Sequence, residues 1–172
     1  IPEDNLYGRP IFLEYIKKLK QIYEDDSLVI ASPDVGGVAR ARAYAKKLNC
    51  DLVIIDKRRE KINDCEVMNI IGNVEGKNVV IVDDMIDTGG TLIKASKAIK
   101  DQGALSVRAC CTHGILSGKA YSNINNPVLD ELVITDSIPT KKHPKIRILS
   151  CSNLIARAIQ NIMSNKSLSE LF

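Results

Sequence analysis

Three aspartates crowd a short stretch of this chain where an apolar run gives way to paired glycines. Val79-Val80-Ile81-Val82 is a run of four β-branched residues, and Asp83-Asp84-Met85-Ile86-Asp87-Thr88-Gly89-Gly90-Thr91 follows it. The run reads as a buried parallel strand, and a helical pattern begins at Thr91-Leu92. A turn that delivers a strand to a helix N-terminus binds phosphate, through free backbone N–H groups and the positive end of the helix dipole. Three carboxylates are out of place around a bare anion. They suit a phosphorylated sugar, because carboxylates accept hydrogen bonds from hydroxyls and hold Mg²⁺. Paired acids alone are also common as solvated turn residues; the Thr-Gly-Gly-Thr that follows argues for a ligand.

Two further loops hold residues of the right kind. In Ser32-Pro33-Asp34-Val35-Gly36-Gly37, the glycines let backbone approach a diphosphate and Asp34 is a candidate Mg²⁺ ligand; its other reading is a plain turn aspartate. Asp56-Lys57-Arg58-Arg59-Glu60-Lys61 packs four cations into six residues. It is either a solvated surface run or the tip of a hairpin that closes over substrate and places a cation on developing charge. His113, in Thr112-His113-Gly114, is either a base or phosphate contact or a structural histidine. His143 sits in an exposed basic loop.

These loops must be held by elements, and the pattern alternates strand and helix. Helices are expected over 11–23, 38–48, 92–102 (stopped by Gly103) and 154–164, the last capped from within Ser150-Cys151-Ser152-Asn153. Strands are expected over 28–31, 52–55, 67–71, 79–82, 107–112, 132–135 and 146–149, with 52–55 and 67–71 as an antiparallel pair. The result is an α/β fold with a mainly parallel, twisted sheet flanked by helices. In such a sheet ligands lie beyond the C-terminal strand ends, and four of these strands end in the polar loops named above.

Composition narrows the classes. At 172 residues, 45% apolar and 26% charged, the chain is expected to be a single globular domain over 1–172. A net charge of +3 is too mild to argue for nucleic acid, and no apolar run approaches the roughly 20 residues that span a bilayer. Five cysteines, odd in number and without a CxxC, read as reduced thiols in a cytoplasmic setting. The opening Ile1-Pro2-Glu3-Asp4 carries no initiator Met and no signal-peptide pattern, and reads as the interior of a longer protein.

The run from Val79 to Thr91 resembles the phosphoribosyl-diphosphate (PRPP) binding motif of type I phosphoribosyltransferases and PRPP synthetases. With Ser32 to Gly37, Asp56-Lys57-Arg58-Arg59, Thr112-His113-Gly114-Ile115, Ser117-Gly118 and the tail Ser167-Leu168-Ser169 in this order, the chain closely resembles the C-terminal half of the ribose-phosphate pyrophosphokinase family. The resemblance implies a phosphoribosyltransferase-like fold with a flexible catalytic hairpin loop. It also implies an activity: ATP and ribose 5-phosphate give PRPP and AMP, with Mg²⁺. On it, Lys57 is catalytic, and Arg59, Asp83, Asp84, Asp87, Thr88, Gly89, Gly90 and Thr91 bind ribose 5-phosphate. Asp34 holds Mg²⁺, and Ser167, Ser169 and Phe172 lie near a regulatory site. The family further implies a homo-oligomer, hexameric from dimers, and an N-terminal half that supplies the catalytic histidine and most of the ATP site. The chain alone is then expected to bind sugar phosphate weakly and to be inactive. A phosphoribosyltransferase, or a catalytically silent subunit that associates with a synthetase, are the alternatives.

Overall fold

A computed structural model describes residues 5–23, 27–58 and 67–171. Helix α1 (Arg9–Ile22) precedes β1 (Leu28–Ser32), α2 (Val38–Leu48), β2 (Asp51–Arg58) and β3 (Val67–Ile71). Then come β4 (Asn78–Ile86), α3 (Gly90–Asp101), β5 (Ser106–Gly114) and the short α4 (Ala120–Ile124). β6 (Glu131–Thr135), β7 (Ile146–Leu149), α5 (Ser152–Met163) and a 3-10 turn (Ser169–Leu171) complete the chain.

The strands form one sheet in the order β3-β2-β1-β4-β5-β6-β7. Every pairing is parallel except β2 with β3, the expected hairpin, whose register runs from Ile54 opposite Ile71 to Arg58 opposite Val67. The two-residue repeat of a strand sends alternate side chains to opposite faces. Val29, Ala31, Val79, Ile81, Val107 and Ala109 pack on α3 through Leu92, Ala95 and Ile99. Their neighbours Leu28, Ile30, Val80, Val82 and Cys110 pack on α1 and α2 through Phe12, Ile16, Ala41, Tyr44 and Leu48. Near-continuous burial of β1 and of the first half of β4 follows from cover on both faces.

The structure lengthens three strands beyond their apolar runs: β2 runs on to Arg58 along β3, and β4 and β5 run on together. β4 continues through Asp83 and Asp84 to Ile86, because β5 continues beside it, with Asp83 opposite Cys111, Met85 opposite His113 and Ile86 opposite Gly114. The acid pair therefore lies inside a strand and not in the turn after it. Two elements were not expected from the pattern, α4 and the 3-10 turn; both are too short to carry a periodicity. α3 ends as expected, with Gly103 at φ +87 and its N–H bonded to the Lys100 carbonyl at 3.0 Å. α5 starts at Ser152, and its cap is tertiary: Asp136, after β6, accepts the Cys151 N–H at 2.8 Å and the Ser150 hydroxyl at 2.7 Å.

The tail folds back, with Leu168 and Leu171 buried against Ala158, Leu154 and Leu6. The opposite face of α5 leaves Ile155, Ile159, Ile162 and Met163 exposed. Cys110 and Cys111 are buried and Cys50 and Cys151 half-buried, all four as free thiols. Among the described residues no helix is long and apolar enough to cross a membrane.

Candidate functional site

The chain leaves β1 for β2 on one side and returns in β4 on the other, so the connections diverge between β1 and β4. A doubly wound sheet opens a crevice at such a point. Here it holds a cavity of about 310 Å³. Pro33 and Asp34 line it from the loop after β1, Asp83 and Asp84 from β4, and Asp87, Thr88, Gly89, Gly90 and Thr91 from the turn into α3. The structure thus gathers Asp34 and all seven residues expected from the opening motif around one space.

The acid pair is not bare. Arg40, on α2, places Nη1 2.8 Å from Asp83 Oδ1 and Nη2 2.7 Å from Asp84 Oδ2. The planar guanidinium thus bridges two consecutive carboxylates, a geometry its fork of donors favours. Asp83 also accepts the Asp84 N–H at 2.8 Å, and Asp84 the Met85 N–H at 2.9 Å. Burial drives the Asp83 pKa up to about 6, against the pull of the Asp84 N–H and the Arg40 charge. At Asp84 burial also opposes ionisation, but its hydrogen bond with the Asp83 carboxyl, the Arg40 charge and the Met85 N–H outweigh it and hold the pKa low. Like charges this close separate into one firm anion and one reluctant acid.

The turn into α3 is a different surface. Gly89 adopts φ +73, a conformation that favours glycine. Among the described residues no side chain caps α3, whose first residues, Gly90, Thr91 and Leu92, line the cavity. Asp87 accepts a hydrogen bond from the Ser117 hydroxyl, which draws its charge towards the segment after β5. In the loop after β1, Asp34 Oδ1 accepts the Gly37 N–H at 2.7 Å, while Ser32 Oγ donates to the Asp34 carbonyl at 2.7 Å. A Cβ on Gly37 would lie 2.7 Å from Ser32 Oγ, so this turn closes only around glycine.

A groove of about 530 Å³ adjoins the cavity and shares Asp84 with it; Arg40, Tyr7, Arg9, Tyr44, Thr112 and His113 line its other sides. His113 Nδ1 lies 2.9 Å from Ser137 Oγ. His143 is no free loop residue, since Nε2 meets Asn125 Oδ1 at 3.0 Å and Nδ1 accepts the Lys145 N–H at 3.2 Å.

Other expected site residues fall elsewhere. The Lys57 backbone lies on β2 opposite Met68, but its side chain, Arg59 and Phe172 lie outside the described residues. Ser167 and Ser169 do not line the cavity; their hydroxyls are 2.8 Å apart beside the 3-10 turn. Arg40 and Asn123 contact the site residues and are missing from the sequence expectations, where Ser117 stands only within a motif and without a role. One signal existed for Arg40: a cation in the first turn of a helix opposes the dipole, so its place three residues after Gly37 asks for a partner.

The family described as Phosphoribosyl synthetase-associated domain matches residues 58–172. The chain belongs to that family. Over its whole length it is 54% identical to a ribose-phosphate pyrophosphokinase of Campylobacter jejuni, of which it covers 55%. The chain thus spans about half the length of the curated relatives it matches. Among solved structures, a phosphoribosylpyrophosphate synthetase from Mycobacterium smegmatis superposes with a TM-score of 0.78 at 30% identity, over 90% of this chain and 51% of that one. A purine phosphoribosyltransferase from Pyrococcus horikoshii gives 0.52 at 25% identity, over 81% of this chain and 85% of that one. The mainly parallel sheet with flanking helices is thus a phosphoribosyltransferase-like fold, as the motifs implied.

Proposed function

We propose that this chain is the sugar-phosphate-binding half of a ribose-phosphate diphosphokinase, folded as one domain over 1–172. The observation that carries this reading is the division of the cavity: acceptor carboxylates on β4 on one side, uncapped N–H groups of the turn into α3 on the other. Asp83 and Asp84 accept the ribose hydroxyls. The N–H groups of Asp87, Thr88, Gly89, Gly90 and Thr91, with the two threonine hydroxyls, hold the 5-phosphate. The 1-hydroxyl of the sugar attacks the β-phosphorus of ATP, a diphosphoryl group moves to the sugar and AMP leaves. Such a transfer asks the protein chiefly for positioning and charge stabilisation. Lys57 and Arg59, in and beyond β2, supply the cations for the developing charge.

Mg²⁺ fits the donor set in a limited way. The carboxylates are hard oxygen donors, and Mg²⁺ usually takes one or two carboxylates together with substrate phosphates. Arg40 already occupies oxygens of Asp83 and Asp84, whereas among the described residues Asp34 commits Oδ1 alone, to the Gly37 N–H. Asp34 is therefore the residue that would hold the ion, which when bound neutralises phosphate charge. ATP contacts and the homo-oligomer, hexameric in this reading, belong to the longer protein. So do the regulatory roles of Ser167, Ser169 and Phe172. The free thiols support a reducing, cytoplasmic setting.

Titration calorimetry tests the reading: the chain binds ribose 5-phosphate yet releases no AMP from ATP and ribose 5-phosphate. Absence of sugar-phosphate binding would sink the site assignment, and robust AMP release would sink the half-site assignment. In a protein of the relatives' full length that carries this chain, Lys57→Ala lowers kcat by about two orders of magnitude or more with little change in sugar-phosphate affinity. A near-wild-type rate would remove Lys57 from the chemistry.

A further inference from the structure

Three consecutive carbonyls at the end of β4 are held by one segment. The Ile86 carbonyl accepts the N–H groups of Ile115 (3.0 Å) and Leu116 (3.2 Å). The Asp87 carbonyl accepts the Ser117 N–H at 3.1 Å. The Thr88 carbonyl accepts Asn123 Nδ2 at 2.8 Å. A trans peptide is planar, with its C=O and N–H pointing in opposite directions. Anchoring these carbonyls therefore aims the next N–H groups, those of Asp87, Thr88 and Gly89, away from the 115–123 segment. That direction is the cavity, which residues 87–91 line and residues 115–123 do not. The Ser117 hydroxyl acts in the same sense, because it binds the Asp87 carboxylate on the far side of the turn.

We propose that Ser117 and Asn123 are positioning residues, a clamp that turns the peptide planes of 87–89 so that their N–H groups converge on an anion. The Thr88–Gly89 plane depends on Asn123 most directly. Gly89 sits at φ +73, where glycine costs little to rotate, and the amide of Asn123 is the side-chain donor on that carbonyl. Without it the plane is free to turn its carbonyl towards the cavity, where it would face phosphate with the wrong sign. Asn123 is carried on α4, fixed by the buried Ala120 and Ile124, so a rigid element delivers the donor. This inference rests on the sugar-phosphate reading of the turn and names what keeps that turn competent.

The test titrates inorganic phosphate and ribose 5-phosphate into the 172-residue chain and follows the backbone amides of Thr88, Gly89 and Gly90 by NMR. Asn123→Leu keeps the volume and removes the donor, and it weakens phosphate binding about tenfold, roughly the worth of one hydrogen bond. Ser117→Ala acts in the same direction. Asn123→Gln restores an amide donor and recovers part of the loss. Leu168→Ala, in the tail cluster away from the turn, costs stability and keeps wild-type affinity. Unchanged affinity in Asn123→Leu, or equal losses in Asn123→Leu and Leu168→Ala, would overturn the clamp while leaving the anion site standing. If the wild-type amides ignore millimolar phosphate, the anion site itself falls and takes the clamp with it.

Discussion

At the scale of single residues, Arg40 decides what the acid pair can do. Two adjacent carboxylates in a half-buried crevice repel each other, and one guanidinium bridging both relieves the repulsion. Replacing it with Met removes a charge that lowers both pKa values. The Asp83 pKa then rises above its value of about 6, which a carboxyl carbon NMR titration reads directly; an unmoved titration would show that Arg40 is electrostatically irrelevant. The sign for stability follows by linkage. A carboxyl whose folded pKa lies above its unfolded value of 3.8 binds the proton more tightly when folded. Its contribution therefore falls as pH rises from about 4 through about 6. In Arg40→Met the fall continues to higher pH, visible as a larger loss of denaturation midpoint between mildly acidic and neutral solution.

At the scale of elements, strand ends and helix starts meet at the C-terminal edge of the sheet. The junctions into α3 and α5 are each held by a side chain from another segment. Asp136 closes the start of α5, and its hydrogen bonds from Cys151 and the Ser150 hydroxyl hold its pKa down to about 2. A depressed carboxyl stabilises the fold above its unfolded pKa of 3.8 and loses that effect as pH falls towards about 2. Asp136→Asn should therefore remove part of the acid limb of the stability curve and speed amide exchange in the first turn of α5. An unchanged acid limb would mean that the cap is energetically silent. The close approach of Gly8 to Thr112, where a Cβ would lie 2.7 Å from the hydroxyl, seats the entry to α1 over the end of β5 by the same principle of one element closing another.

At the scale of the molecule, the sheet separates two tasks. The crevice between β1 and β4 gathers the polar residues, while the tail is stored away from it against α5 and Leu6. Leu168 and Leu171 bury their side chains there. Leu168→Ala should cost about 2–3 kcal/mol in chemical denaturation, the usual range for a buried leucine lost to a cavity. Ribose 5-phosphate affinity should stay as in the wild type, because none of the described tail residues lines the cavity. A parallel loss of affinity would couple the tail to the site.

Much of this was legible before any coordinates. The β-branched residues at Val29, Val53 and Val79 and the apolar stretch from Val107 to Cys111 announce strands, and their order with the intervening helices announces a parallel sheet. Residue type and spacing mark the Asp34 loop and the turn from Asp87 to Thr91 as candidate ligand loops, and the structure brings both to one cavity. The sequence stops where contacts are long-range. Nothing local marks Asp83 and Asp84 as strand residues, since only the continuation of β5 to Gly114 pairs them. Nor does anything local say that Arg40, 43 positions before Asp83, closes on both acids, or that Asn123 holds the Thr88 carbonyl from 35 positions away. Residue pattern alone determined the main strands and helices and the inventory of acids, donors and glycines. Tertiary structure decided which acid is neutralised, which carbonyls are held and which N–H groups face the cavity, because hydrogen-bond direction depends on the partner that packing supplies.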